Sequence, residues 1–517
     1  MAAGAVAFLI LAFVALVLWL RYDALPHADR YRGYIVSSIE RASGMAVKAS
    51  AIRGGWDGLR PRFALDGFEL ADRQGRVALA LQRAEVTLSW WSLFRGRVRF
   101  HDVDFYRPQL VLRRGADGLV YLADKPLTRP GGEDDGAFGR WLLSQPRLAI
   151  HDATLTWRDE LTGAPEVTLT AVRIAVRRRL GRHHAALTAL PPPSLAGRID
   201  LRADLRFAWA GSRWHASGTI FGEGIDTDLG GLRSHLPVPE SLRSGVGSLR
   251  VWATVADNAL TEMTADVRLR DATAQLAADA LPLTLASISG RAIYRAQPGG
   301  FSFQTQGLRF RLPAGNEAHP GDFSLTRSAA PGKPPRVEVH ADGIDLKIAA
   351  TLIDYFPVPR DIKGRLDRFA PRGRLTQAAL SWTGEDAAHA RSYTVKGRFD
   401  ELAVNAVDAW PGVTGLSGRL EGSEAGGTIL VDSKDATFAL GRVFRAPIPL
   451  ATLQARATWK HEGNALRVDV AEMKFSNDDA EGSLSGFWRS LPDSPQRSPG
   501  YVDLQGTLTR ASASRVA

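Results

Sequence analysis

Ile199-Asp200-Leu201-Arg202-Ala203-Asp204-Leu205-Arg206-Phe207-Ala208-Trp209 decides the fold class. Every odd position is apolar, and every even position except Ala208 is charged. Successive strand side chains point to opposite sides, so this is a strand with one apolar and one wetted face. The same period of two recurs at Ala84, Val86, Leu88 and Trp90, at Leu148 and Ile150, and at Leu155 and Trp157. It returns at Val172, Ile174 and Val176, at Leu249, Val251, Ala253 and Val255, at Val267 and Leu269, and at Phe301 and Phe303. Val337 with Val339, Leu453 through Ala455 and Ala457 to Trp459, and Leu466 with Val468 and Val470 complete the set. Turn residues separate these runs: Asp117-Gly118, Asp257-Asn258, Pro298-Gly299-Gly300 and Glu462-Gly463-Asn464 each join two of them, which predicts a meander of antiparallel hairpins.

Helical pattern is sparse. Tyr31, Ile35 and Ile39 recur every four residues between Pro26 and Gly44, predicting one helix over 26–43. Shorter helical stretches are expected at 90–94, at 138–144 and between Ile348 and Phe369, the last broken by Pro357 and Pro359. The predicted organisation is an anchor over 1–20, a helical segment over 21–45 and a first β unit over 46–127. A linker with a short helix follows over 128–145, then β segments over 146–345 and 371–517 flank a helical connector over 346–370. Leu195-Ala196-Gly197-Arg198-Ile199, Ile288-Ser289-Gly290-Arg291-Ala292 and Leu416-Ser417-Gly418-Arg419-Leu420 form a weak, unevenly spaced repeat. That fits a repeating sheet with insertions better than a short-period solenoid.

Residues 1–20 carry no charge and are followed by Arg21 and Tyr22. A helix of about 20 residues spans about 30 Å, the thickness of a bilayer core, so an uncleaved single-pass anchor is expected. The exit Trp19-Leu20-Arg21-Tyr22 lacks the small residues of a cleavage site. Arg21, Arg30 and Arg32 lie after the helix, where the positive-inside rule would not put them if the bulk is exported. Export of the bulk therefore requires either a basic leader ahead of Met1 or a long following domain that decides topology.

Composition closes off several chemistries. The 517 residues include no cysteine, which excludes disulfides, thiolate metal sites and cysteine nucleophiles within them. The formal charge of +10 is carried mainly by arginine, and the densest cluster, Arg173, Arg177, Arg178, Arg179 and Arg182 with His183 and His184, holds no aromatic residue. A nucleic-acid surface would interleave aromatics with its cations, so this reads as a solvated strand end and no nucleic-acid partner is expected. No phosphate-binding loop or nucleophile elbow is present, and Gly222-Glu223-Gly224 lacks the third glycine of a dinucleotide fingerprint. His101-Asp102 and His151-Asp152 sit in strand-like runs, His183 and His184 would face opposite sides, and Glu133, Asp134 and Asp135 fall in the expected linker. No catalytic residue, metal site or cofactor is predicted, and the chain is not expected to be an enzyme.

Several motifs appear in an order that carries a resemblance. These are the anchor, then Tyr34-Ile35-Val36-Ser37-Ser38-Ile39-Glu40-Arg41-Ala42-Ser43-Gly44-Met45-Ala46-Val47 with Gly55-Trp56, then Arg107-Pro108-Gln109-Leu110-Val111-Leu112-Arg113-Arg114 with Asp117-Gly118. Pro357-Val358-Pro359, Phe369-Ala370-Pro371-Arg372-Gly373-Arg374-Leu375 and Leu380-Ser381-Trp382 follow, and Ala471-Glu472-Met473-Lys474-Phe475-Ser476-Asn477 closes a later module. This succession resembles YhdP-type proteins of the AsmA-like superfamily over nearly the whole chain. The resemblance implies an elongated antiparallel sheet curled into a half-pipe with an apolar interior, and phospholipid movement between the inner and outer membranes of Gram-negative bacteria. It further implies an inner-membrane anchor with the bulk in the periplasm, a protein partner in the periplasm or outer membrane, and a longer parent chain of which this is the N-terminal portion.

Physical argument leads the same way. One-sided strands must bury their apolar face, and the helices are too few to cover it. The two solutions are a sandwich of two sheets or one curled sheet whose hollow takes a ligand. A sixteen-carbon chain crossing water would cost about 12 kcal/mol at about 0.8 kcal/mol per CH₂, and an apolar trough removes most of that barrier. The residues expected to line it are Val86, Leu88, Leu110, Leu112, Leu148, Ile150, Ile199, Leu201, Leu205, Phe207, Leu249, Val251, Phe301, Phe303, Leu453, Leu466 and Val468, with phospholipid acyl chains as the partner. The rival expectations are a periplasmic scaffold for outer-membrane protein assembly, whose trough would hold a polypeptide strand, and a carbohydrate-active sandwich, which would need paired carboxylates in a cleft.

Overall fold

A computed structural model describes residues 2–43, 46–71, 77–90, 100–122, 125–126, 146–210, 213–235, 238, 240–275, 280–313, 315, 317–318, 321–356, 360–384, 392–407, 410–439, 446–491 and 500–512. Two compact units divide the chain, Met1–Val238 with Val246–Met263, and Pro239–Gly245 with Thr264–Ala517. Both are curled, predominantly antiparallel sheets, the fold class that the two-residue period predicts. Of the helical stretch expected at 90–94 only Trp90 is described, and the expected linker over 128–145, with its helix at 138–144, lies outside the described residues.

In the first unit the short strands Ala46–Lys48 and Ala51–Asp57 share one neighbour, Arg60–Ala71, which pairs onward with Val77–Leu88 and then Phe100–Tyr106. The stretch that decided the fold class is the strand Arg198–Ala210. It pairs on one side with Arg182–Leu190 and on the other with Arg213–Asp228, with no register shift. One junction departs from the expected meander. Arg147–Asp159 runs parallel to Phe100–Tyr106 and to Gln109–Arg114, because the long connection before it returns the chain to the same end of the sheet.

Bulges explain why the alternation looks fragmented in sequence. Leu148 and Ile150 read as one run and Leu155 and Trp157 as another, yet both belong to the single strand Arg147–Asp159. Asp152 adopts φ 53° there and Ala171, in the facing strand Ala164–Arg179, φ 48°, with register shifts beside them. The inserted residue restores Ala153 to the side that Ile150 occupies, and the two pack in one cluster with Val172.

The first strands carry a helical cover. A 3-10 turn at Ala28–Tyr31 leads into the helix Arg32–Ser43, so the predicted single helix begins with the tighter winding common at helix starts. Ala28, Ile35 and Val36 pack on Ile52, Leu65, Phe68 and Leu81. The same segment blunts the sheet edge: the Ile52 amide donates to Asp29 Oδ1 at 3.1 Å and the Val47 amide to Glu40 Oε1 at 3.0 Å. Gly54 is required at this edge, because a Cβ would stand 2.4 Å from the Leu25 carbonyl oxygen. Ahead of this cover lies the helix Ala2–Trp19, continued by a π-turn, Leu20–Ala24. Among the described residues no single helix is long and apolar enough to cross a membrane, while the bent pair Ile10–Ala24 and Ala28–Ser37, angled at 96°, passes that test together.

Asp159 anchors the hairpin that closes on Ala164–Arg179. It is nearly buried, accepts from Arg114 Nε at 2.8 Å, and also receives the amides of Leu161 and Thr162 at 3.1 and 3.2 Å. The Arg114 hydrogen bond holds its carboxyl down from 3.8 to about 2. Because the unfolded chain protonates first, this stabilisation is complete above about pH 4 and is lost as the pH falls through about 2. Urea midpoints measured across that window should decline in the native chain. In Asp159→Asn the midpoint at neutral pH is lower and this component of the acid slope is gone.

The second unit continues strand by strand from Leu283–Gln297 and Gly300–Arg311 to Ala480–Arg489 and Tyr501–Ala511. The helical interruption comprises Leu346–Leu352, a 3-10 turn at Ile353–Tyr355, and Arg360–Phe369. Asp345 starts it by accepting from the amides of Lys347 and Ile348 at 2.9 and 3.1 Å, the usual service of an aspartate at a helix N-cap.

An apolar face on each sheet

Residues that are directly paired across a ladder share a face, so the register traces where the apolar side chains gather. In the first unit Val86 stands opposite Val103, which stands opposite Leu148. The row continues through Val176, Ala185, Ala203 and Ile220 to Ala253. A second row beside it runs Ala84, Phe105, Ile150, Ile174, Leu187, Leu201, Gly222 and Val251. Leu88 opposes Phe100, Leu110 and Leu112 oppose Leu155 and Trp157, and Ile199 and Leu249 meet across Gly224. Leu205 opposes Gly218 and Phe207 opposes Ala216. The ladder thus gathers all of the predicted lining residues of this unit onto one side of the sheet.

The second unit has its own such face. Phe303 leads through Leu325, Val339, Leu380 and Val395 to Gly422. Gly427, Trp459, Val468, Trp488 and Val502 extend it to the last described strand. Phe301 stands in the neighbouring row opposite Ala296, Leu453 opposite Phe475, and Leu466 opposite His461. Leu453 is buried within a cluster with Phe399, Leu416 and Leu450.

Sequence reasoning missed the glycines on this face. Gly218, Gly222 and Gly224 alternate at strand period along Arg213–Asp228, and that spacing was the available signal. Gly222 leaves room for Leu201, whose Cδ2 would stand 3.2 Å from an added Cβ. Gly422 and Gly427 lie beneath the Trp459 indole, which would be 2.5 and 2.3 Å from their Cβ positions. A large side chain laid over glycine on the next strand keeps the face smooth and fills the gap that glycine leaves.

Covering is what separates a sandwich from an open trough. In a sandwich the middle of the inner face is dry, whereas here Leu201 is 45% and Ile220 38% exposed in the first unit, and Leu380 is 38% exposed in the second. None of the three lies on an edge strand, so each is uncovered from above. The opposite face is wet and charged. Arg182 pairs with Asp204 at 2.6 Å, Arg250 with Glu223 at 2.6 Å and Arg291 with Asp266 at 2.6 Å. Exposed pairs of this kind contribute about 0–1 kcal/mol each, so they set which side meets water while the apolar clusters hold the fold.

Most of the remaining sequence candidates fall outside this face, but His183 and Arg178 pair in line with Leu205 and lie on its side. His151 Nε2 lies 3.0 Å from Asp104 Oδ1 and its ring stacks on Tyr106, a strand-surface pairing. His183 and His184 face opposite sides, the first against Phe207 and the second toward Asp204. Arg173 and Arg182 of the basic cluster reach Asp152 and Asp204. Among the described residues no three His, Asp or Glu side chains converge as a metal site requires.

A family model described as YhdP protein matches residues 2–517. The intermembrane phospholipid transporter YhdP of Escherichia coli (strain K12) is 24% identical over 476 residues, covering 86% of this chain and 35% of that protein. The chain therefore spans about a third of the length of that curated relative. No solved structure matches.

Proposed function

The chain belongs to the YhdP family, and from that premise we propose that it carries phospholipid acyl chains on the open apolar face of each sheet, as part of a transfer path between the inner and outer membranes. The observation that carries the reading is the half-exposure of Leu201, Ile220 and Leu380 in mid-sheet. Each side chain left in water forgoes part of the roughly 1.5–3 kcal/mol that burial of such a residue yields, and an acyl chain laid along the face recovers it for both partners. Acyl chains need no polar contacts, which agrees with a face built mainly from aliphatic, aromatic and glycine residues, with Arg327, His183 and His461 among them.

The N-terminal helix supplies the anchor in this reading. Phe8 is 70% and Leu11 68% exposed, an arrangement that water penalises and hydrocarbon does not. The bulk of the chain is then periplasmic, held to the inner membrane by one pass, with a protein partner further along the path and no catalytic role.

Photo-crosslinking tests the proposal. A benzophenone side chain at Leu201 should capture phospholipid in cells. Capture of polypeptide instead would favour an assembly scaffold and overturn the lipid reading.

A further inference from the structure

One corner of the first sheet touches the uncharged N-terminal helix. Phe13 packs edge-on against Trp90, with ring centroids 4.9 Å apart, and Trp90 in turn lies 6.5 Å from Trp56. Phe13 sits two helical turns before Arg21, the first charged residue of the chain, and Trp19 and Tyr22 flank that charge as exposed aromatics. Aromatics beside the first charge mark the level of a membrane interface. The contact with Trp90 therefore lies on the hydrocarbon side of that level.

The hairpin tip beside this corner has the same character. Leu59, in the turn between Ala51–Asp57 and Arg60–Ala71, is 80% exposed. The Trp90 indole N–H donates to the Leu59 carbonyl at 3.1 Å, so the polar group of the tryptophan and one turn carbonyl satisfy each other without water. Two charges oppose deep burial: Asp57 and Arg60 flank the turn as exposed cross-strand partners. They hold the tip in the outer part of a leaflet, where Arg60 reaches phosphates and Leu59 passes beneath them.

We propose that the corner formed by Trp56, Leu59 and Trp90 is seated in the lipid bilayer beside the helix, so that the first sheet begins inside the membrane and not above it. Trp56 and Leu88 lie on the apolar face, through their pairing opposite Pro61 and Phe100. Acyl chains at this corner meet the apolar face without first rising past the headgroups. The proposal rests on the reading of the helix as a membrane anchor.

The absence of cysteine makes the test direct. A nitroxide is attached at Leu59→Cys in the full chain, reconstituted in vesicles of phosphatidylethanolamine and phosphatidylglycerol. Its relaxation is measured against dissolved oxygen and a water-soluble nickel chelate. Leu161→Cys serves as the reference, since Leu161 is a half-exposed hairpin-tip leucine on a different pair of strands. The expected result is high oxygen and low nickel accessibility at Leu59, with the reverse at Leu161. Equal nickel accessibility at the two sites overturns the membrane seat, even if crosslinking from Leu201 still captures phospholipid. A hydrocarbon signal at Leu59 together with no lipid capture at Leu201 upholds the seat and removes the transfer reading instead.

Discussion

If the apolar faces carry acyl chains as proposed, Leu380→Asp is expected to reduce phospholipid transfer by about 100-fold while leaving the fold in place. Leu380 sits between Val339 and Val395 on the apolar face of the second unit, yet it is 38% exposed, so a carboxylate there keeps contact with water while the chain is empty. Losing the buried part of this side chain costs on the order of 1–2 kcal/mol of stability, which the many strands around it absorb. An acyl chain passing the same point displaces that water. Placing an aspartate against hydrocarbon costs about 3 kcal/mol, which corresponds to about 100-fold in rate. Transfer of labelled phospholipid between donor and acceptor vesicles measures the loss, and circular dichroism checks the fold. Leu380→Ala, which removes bulk without adding charge, retains most of the transfer.

Leu453→Ala has the opposite profile, a large loss of stability from a residue that a moving lipid scarcely meets. Leu453 is 1% exposed and packs with Phe399, Leu416 and Leu450, next to partly buried Met473 and Phe475. Truncating a fully buried leucine destabilises by about 2–5 kcal/mol, and the crowded position places this one near about 3 kcal/mol. Urea unfolding of the second unit should shift to a lower midpoint with an unchanged slope, because the surface exposed on unfolding stays the same. A shift below about 1 kcal/mol would mean that this cluster is not the core holding those strands together.

Much of this arrangement was legible in the residues. The alternation from Ile199 to Trp209 placed its strand and chose its apolar side, and the ladders carry that side across to Leu187 and Gly222 on the neighbouring strands. Bulges were not legible, since a positive φ at Asp152, Ala171, Gln377 or Glu401 shifts the parity by one residue and leaves only a break in the pattern. The parallel pairing of Arg147–Asp159 was hidden for another reason, as it depends on where a long connection delivers the chain. The choice between a closed sandwich and an open trough was also beyond the pattern. Both require identical strands, and only the exposure of Leu201 and Leu380 distinguishes them. The glycines under Trp459 and Leu201 show that a residue without a side chain can belong to an apolar face, a point that hydrophobicity counts overlook.

The most direct test compares neighbouring positions that point to opposite faces. Benzophenone is placed at Leu201 and at Arg202 in the first unit, and at Leu380 and at Ser381 in the second, and captured material is identified by mass spectrometry after illumination in cells. Phospholipid adducts at Leu201 and Leu380, with none at Arg202 and Ser381, are the predicted result. Equal lipid capture on both faces, or capture of polypeptide alone at Leu201 and Leu380, would contradict the account.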